Sequence, residues 1–173
     1  MPLILSIIQD LALYEKEPDS CLATEESLLR TLSFGSTPSR GYARTLLIYP
    51  PSSSSSAVPE GIITGPQPEC AGMALYFHNY STWRAAPGIY LEDLFVRPPY
   101  RKRGYGKKLL QELAREVKQI GGTRLEWSVL RWNQPSIDFY EGLGARKMDE
   151  WWTMRVDFKA LEKMAEGESL RRV

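Results

Sequence analysis

The 173-residue sequence holds one histidine, His78, and two cysteines, Cys21 and Cys70. They make no metal-ligand spacing and no disulfide framework, so no metal is expected and a reducing, cytoplasmic setting is. With no histidine partner in view for either thiol, a covalent acyl-cysteine route is disfavoured. The net charge is only +1, which gives no global field to hold nucleic acid or an anionic membrane, and neither is expected as a partner. Long apolar runs are missing too. Residues 3 to 14 (L-I-L-S-I-I-Q-D-L-A-L-Y) are too short to span a bilayer and carry no basic leader region. Leu3, Ile4, Ile7, Ile8 and Leu11 share one helical stripe, which predicts a core-facing helix. Two familiar phosphate fingerprints also fail. A dinucleotide loop needs a third glycine where Leu109 stands; a Walker loop needs glycine at Arg101 and Ser or Thr at Lys108.

What remains is an ordinary globular balance, 43% hydrophobic and 25% charged, at a length suited to one domain over 1–173. The chain is organised around residues 88 to 122. Ile89, Leu91 and Phe95 alternate with Tyr90, Leu94 and Val96, as in a central strand buried on both faces. Glu92 and Asp93 interrupt it side by side. After Pro98-Pro99 comes Arg101-Lys102-Arg103-Gly104-Tyr105-Gly106. A helix follows, with Leu109, Leu110, Leu113, Val117 and Ile120 at helical spacing and Gly121-Gly122 as its stop. A glycine loop feeding a helix N-terminus aims backbone N–H groups at one spot and favours an anion there. Arg101, Lys102, Arg103, Lys107 and Lys108 surround that spot. The plainer alternative is a solvated basic turn. A nucleic-acid module built on R-K-R-G-Y-G-K-K would lack an aromatic platform around it.

Elsewhere Thr24 predicts an N-cap, with Glu25 and Glu26 in the first turn, Leu28, Leu29 and Leu32 on the apolar side and Gly35 as the end. Residues 43 to 49 predict a strand, 50 to 69 a mobile Ser/Pro-rich loop, and 70 to 77 a second strand that Pro87-Gly88 turns back. Residues 123 to 130 alternate Leu125, Trp127 and Val129 with Arg124, Glu126 and Ser128. That strand, reached through a helical crossover, should lie parallel to the central one. A short helix through Phe139-Tyr140, one or two strands over 145–156, a helix over 158–164 and a frayed tail over 166–173 complete an α/β chain with a mixed sheet.

The R-x-x-G-x-G of residues 101–106 resembles the coenzyme A pyrophosphate loop of the GNAT acyltransferases. About thirty residues on, N-Q-P-S-I-D-F-Y-E-G-L-G-A (133–145) resembles their second coenzyme A motif. Within that superfamily the chain is most similar to the spermidine/spermine (diamine) and thialysine acetyltransferases. L-A-L-Y-E (11–15), Y-S-T-W (80–83), Y-L-E-D-L-F-V-R-P-P-Y-R (90–101) and V-L-R-W-N-Q (129–134) carry the likeness. Three departures stand out. The chain starts on a helix where members begin with a strand, the Ser-rich loop is an insertion, and Ser81 replaces an acid of the spermidine branch.

The resemblance implies a mixed, mostly antiparallel sheet with helices on both faces and a splayed central parallel pair. It implies acetyl-CoA as co-substrate, no metal, and direct acetyl transfer to a primary amine of a small diamine, polyamine or diamino acid. A peptide or protein amine is the alternative, and a homodimer is expected. The coenzyme would lie on Leu94, Phe95, Val96, Arg101, Lys102, Arg103, Gly104, Tyr105, Gly106, Lys107, Asn133, Pro135, Ser136 and Tyr140. An amide near Phe95–Val96 would polarise the thioester carbonyl. Glu92 is the candidate base, directly or through water, or else an anchor for the cationic substrate. Tyr140 would protonate the departing thiolate, against the plainer reading as a packed helix-end tyrosine. Asn133 would bond the pantetheine arm or cap the helix after it. Tyr14, Glu15, Trp83, Glu92, Asp93, Glu126 and Glu150, with Trp151, are available for a cationic amine. On a regular strand Asp93 points away from Glu92, and only a bulge would bring it to the substrate. His78 reads as a strand-end surface residue.

Overall fold

The first apolar stripe forms helix α1 (Pro2–Tyr14) in the computed structural model, which describes residues 1–34, 41–51 and 69–167. Ile4 and Ile7 are buried along it, and Lys16, at φ 67°, turns the chain away. Thr24 starts α2 (Glu25–Thr31) with a reciprocal cap. Its hydroxyl accepts from the Ser27 amide at 3.1 Å, and the Ser27 hydroxyl accepts from the Thr24 amide at 3.0 Å. The helix ends at Thr31, ahead of the glycine expected to stop it. Gly35, the Ser-rich segment 52–68 and the tail 168–173 lie outside the described residues.

One sheet runs β1 (Arg44–Ile48), β2 (Gly72–Ser81), β3 (Ala86–Val96) and β4 (Leu125–Trp127), in that order. The first three are antiparallel; β4 is parallel to β3 because α3 (Tyr105–Gln119) carries the chain across between them. This is the mixed, mostly antiparallel arrangement expected. On one face Met73, Leu75 and Phe95 pack with Ile4, Ile7, Leu28 and Leu32 from α1 and α2. A fully buried side chain of this size contributes about 1.5–3 kcal/mol. On the other face the amphipathic α3 buries Leu109, Leu110, Leu113 and Val117. There Glu116 accepts from the Tyr76 phenol at 2.5 Å and from Arg44 Nη1 at 3.3 Å, and bonds His78 Nε2 at 2.8 Å. Burial first, then Glu116, pushes the Tyr76 phenol up to about 12.

The expected turn at Pro87-Gly88 lies inside β3 instead, and the hairpin reverses at Thr82–Ala85. Gly88 is needed for space: a Cβ there would sit 2.5 Å from Asn79 Oδ1 and 2.9 Å from Arg124 Cγ.

The chain divides into two compact units, Met1–Ser128 and Val129–Val173. The second holds α4 (Gln134–Glu141) and α5 (Phe158–Ala165). Residues 145–156, read as one or two strands, form none among the described residues. Their alternation supplies an apolar side, with Trp152 and Met154 73% and 88% exposed, but no neighbouring backbone. No helix among the described residues is long and apolar enough to cross a membrane.

Candidate active site

The register of β3 against β2 slips at the two acids. Tyr76 lies opposite Leu91 while its neighbour Leu75 lies opposite Asp93, so Glu92 is the extra residue of a bulge. Residues opposite one another share a face, and Leu75 and Tyr76 point to opposite faces. Leu91 therefore faces α3 and Asp93 faces α1, on the side of Phe95. Regular pairing would point Asp93 away from this side, and the bulge is what brings it there.

The slip gathers an acidic cluster at the end of α1. Asp93 is half-buried, and its carboxyl is pushed up to about 6 by desolvation first, then by the charges of Glu92 and Glu15. Glu15, next to the end of α1, is raised by its own burial. Tyr14 packs beside it, its ring centroid 6.2 Å from that of Phe95. Of the predicted acceptor residues, the structure brings together Tyr14, Glu15, Glu92 and Asp93.

Past Leu91 the strand loses its parallel neighbour, because the β3–β4 ladder covers only Ile89–Leu91 against Leu125–Trp127. The Arg97 amide donates to Ala71 O beside β2. By strand alternation the amides of Leu94 and Val96 point the other way, to the side β4 has left. That of Phe95 faces β2, opposite Met73, so the one amide expected near Phe95–Val96 is that of Val96, with Leu94 pointing the same way.

At the same strand end the glycine loop takes left-handed backbone at Lys102 (φ 60°) and Gly104 (φ 80°), a geometry that converges amides into an anion-binding concavity. Gly104 is the N-cap of α3, and the first helical bond runs from Lys108 N to Gly104 O at 3.0 Å. The amides of residues 104–107 thus have no acceptor inside the helix. No acid stands in the first turn, and Lys102, Arg103, Lys107 and Lys108 are exposed. This donor set fits a diphosphate, as acetyl-CoA carries.

Two arginines of the basic run are turned elsewhere. Arg97 is spent inside the protein: Nε donates to Asp10 at 3.0 Å, Nη1 to Glu69 at 3.0 Å and Nη2 to Ser6 at 2.9 Å. Arg101 donates from Nε to Val96 O at 2.9 Å and lays its guanidinium over Tyr14 and Phe95, 4.8 and 5.4 Å from the centroids. Its guanidinium thus stacks on one ring of α1 and one of β3.

Glu126 and Trp83 do not join the acids. The Glu126 carboxylate pairs with Arg124 at 2.9 Å and accepts from Asn79 at 2.8 Å. Trp83 is 89% exposed at the hairpin tip, with roughly 20 Å of strand between it and Asp93. In the second unit Asn133 occupies the N-cap of α4, with Pro135 in the first turn and Ser136 following. The Asn133 side chain makes no capping bond although the residue is only 6% exposed, so its carbonyl, not its amide group, starts the helix. Tyr140 packs against Phe139 at 5.3 Å, and its carbonyl accepts from Ala145 N at 3.1 Å. Glu150 is exposed. The sequence offered the bulge only as a condition for Asp93 and gave no sign of where Arg101 lies; adjacent acids inside an apolar strand were the one available signal.

Comparison with known proteins agrees with this arrangement. Residues 35–145 match the model of the Acetyltransferase (GNAT) family. The chain is 34% identical to the L-ornithine N5-acetyltransferase of Arabidopsis thaliana, over 94% of this chain and 82% of that protein. It is likewise 34% identical to the thialysine N-epsilon-acetyltransferase of Bos taurus, over 94% and 89%. An integron cassette protein of V. cholerae shares the fold, with TM-score 0.68 and 21% identity over 95% of this chain and 90% of that one. With a diphosphate-ready loop between a bulged strand and its crossover helix, the chain belongs to the GNAT family of acetyltransferases.

Proposed function

We propose that the protein moves an acetyl group from acetyl-CoA onto a primary amine of a small diamine, polyamine or diamino acid. The carrying observation is the bulge at Glu92, which sets Asp93 beside Glu15 and Tyr14 at the open end of β3. The relatives named for ornithine and thialysine support the substrate class.

When bound, acetyl-CoA supplies a thioester carbonyl as acetyl donor. The amides of residues 104–107, with Lys102, Arg103 and Lys107, hold its diphosphate, and Leu94 and Val96 offer N–H groups to the carbonyl oxygen. Asn133, Pro135 and Ser136 keep the coenzyme contacts that the second motif implies. Glu15 and Glu92 attract the cationic acceptor, and Tyr14 offers it a ring face. A protonated amine has no lone pair, so a base must take its proton. Asp93, poised near 6, accepts that proton, directly or through water, with Glu92 as its partner. Tyr140 donates from Oη to the departing sulfur, a role resting on its place in the second motif.

A homodimer is also proposed, supported by the exposed Trp151, Trp152, Met154, Val156 and Phe158 of the second unit. The free thiols of Cys21 and Cys70 suit a reducing compartment. Free-thiol release from acetyl-CoA, measured across small amines and peptides, tests the reading. Turnover with diamines or diamino acids is the expected result. Turnover with peptides alone would replace it by protein acetylation.

A further inference from the structure

Glu69 is the last residue of the Ser/Pro-rich stretch and belongs to none of the coenzyme or acceptor motifs. The structure gives each of its carboxylate oxygens a donor. Arg97 Nη1 donates to Oε1 at 3.0 Å, and the Tyr100 hydroxyl donates to Oε2 at 3.1 Å. Arg97 is anchored in turn on α1, at Asp10 and Ser6. Tyr100 closes the short turn Pro98–Tyr100 that leads from β3 into the glycine loop, its amide donating to Arg97 O at 2.9 Å. The Tyr100 ring then meets the loop on both sides of Gly104. It packs edge-on against Tyr105, with centroids 6.4 Å apart, and carries the Arg103 guanidinium 5.7 Å from its own centroid. Tyr105 is buried and opens α3. A Tyr100 ring held in one place therefore fixes both neighbours of the left-handed Gly104.

We infer that Glu69 is a positioning residue for the coenzyme: through Tyr100 it sets the glycine loop in the shape that receives a diphosphate. The inference rests on the acetyl-CoA reading above and adds to it a residue outside the loop. Charge alone argues the other way. A carboxylate tethered beside an anion site repels a diphosphate, so as a bare charge Glu69 would weaken coenzyme binding. Its pairing with Arg97 offsets that charge, and the other oxygen is left to hold the phenol. The two roles thus have opposite signs, and removing the carboxylate tells them apart. The size of the effect follows from exposure. The Glu69 side chain is largely in solvent, which weakens its bonds, while Arg97 fixes it from the buried side. Loss of one such hydrogen bond changes affinity about two- to ten-fold. The amides of residues 104–107 remain; what changes is how well they converge, since an N–H···O bond weakens steeply with misalignment.

Calorimetric titration of the intact protein with acetyl-CoA tests this. Glu69→Ala, which removes both acceptors, should raise Kd about two- to ten-fold. Tyr100→Phe, which removes the hydroxyl and no charge, should raise it by a similar factor, and the double variant no further than either alone. Glu69→Gln, which keeps one acceptor, should fall between Glu69→Ala and wild type. In steady state the change should appear in KM for acetyl-CoA, with kcat at saturation and KM for the amine unmoved. Unchanged or tighter binding in Glu69→Ala, additive losses in the double variant, or a lowered melting temperature with Kd unmoved each overturn the inference. Wild-type protein that fails to bind acetyl-CoA removes the coenzyme reading and this inference with it. Wild-type binding with indifferent variants removes only the role of Glu69. Near-ultraviolet circular dichroism checks the fold of each variant, and should Glu69→Ala be unfolded, Tyr100→Phe carries the comparison.

Discussion

Leu91 and Asp93 are two positions apart on one strand and face opposite sides of the sheet. A single extra residue between them turns a carboxyl that regular pairing would have aimed at α3 toward α1 and its acids. Replacing Asp93 by Asn should lower kcat by about ten- to a thousand-fold, the span of a lost general base. It should also remove the acid limb of the kcat/KM profile near pH 6. A limb that persists in the variant at wild-type height would assign the proton to another group.

The same carboxyl makes folding stability depend on pH. Its pKa rises from 3.8 unfolded to about 6 folded, so the native state holds a proton that the unfolded chain releases. What this group contributes is fully present below pH 3.8 and is lost as pH rises through about 6. Asp93→Asn should therefore melt a few degrees above wild type at pH 7.5, and the gain should shrink toward pH 4. Thermal scans at the two pH values check it, and a gain that grows on acidification would contradict the sign.

Tyr140→Phe keeps the ring and loses one proton. We expect kcat to fall about ten- to a thousand-fold with KM for acetyl-CoA little changed, and Glu92→Gln to do the same if it shares the base's work with Asp93. Steady-state thiol release reads both. A KM effect without a kcat effect would recast Tyr140 as a binding residue.

Arg97 ties α1, through Ser6 and Asp10, to the end of β3 and to Glu69. Its side chain is only 15% exposed while that of Glu69 is 63% exposed. Allowing for solvent at Glu69, Arg97→Met should cost roughly 2 kcal/mol in urea unfolding. Asp10→Asn should cost less, because Ser6 and Glu69 still hold the guanidinium. A loss below about half a kcal/mol for Arg97→Met would mean that α1 is held by its apolar stripe alone.

Much of this was readable from the residues. The stripe of α1, the Thr24 cap, the glycine loop feeding α3 and the parallel β4 all follow from local periodicity and chain connectivity. What failed depended on partners. The alternation Trp152, Met154, Val156 describes two sides of a segment, but a strand exists only where another backbone receives its hydrogen bonds. Pro87-Gly88 has the composition of a turn, yet Gly88 answers to the crowding of Asn79 and Arg124. Arg97 and Arg101 belong to one basic run in sequence, and only packing tells that one binds Asp10 and Glu69 while the other lies over Tyr14. Charge can be counted along a chain; its direction cannot.

The grip of Glu116 on Tyr76, His78 and Arg44 gives α3 a pivot far from the loop it serves. From there to Tyr105 is about 16 Å of helix. A swing of a few degrees about such a fulcrum carries the far amides through about 1 Å, enough to spoil a well-aligned N–H···O bond. On the proposed function, a change at His78 is therefore expected to alter affinity for acetyl-CoA without touching the coenzyme.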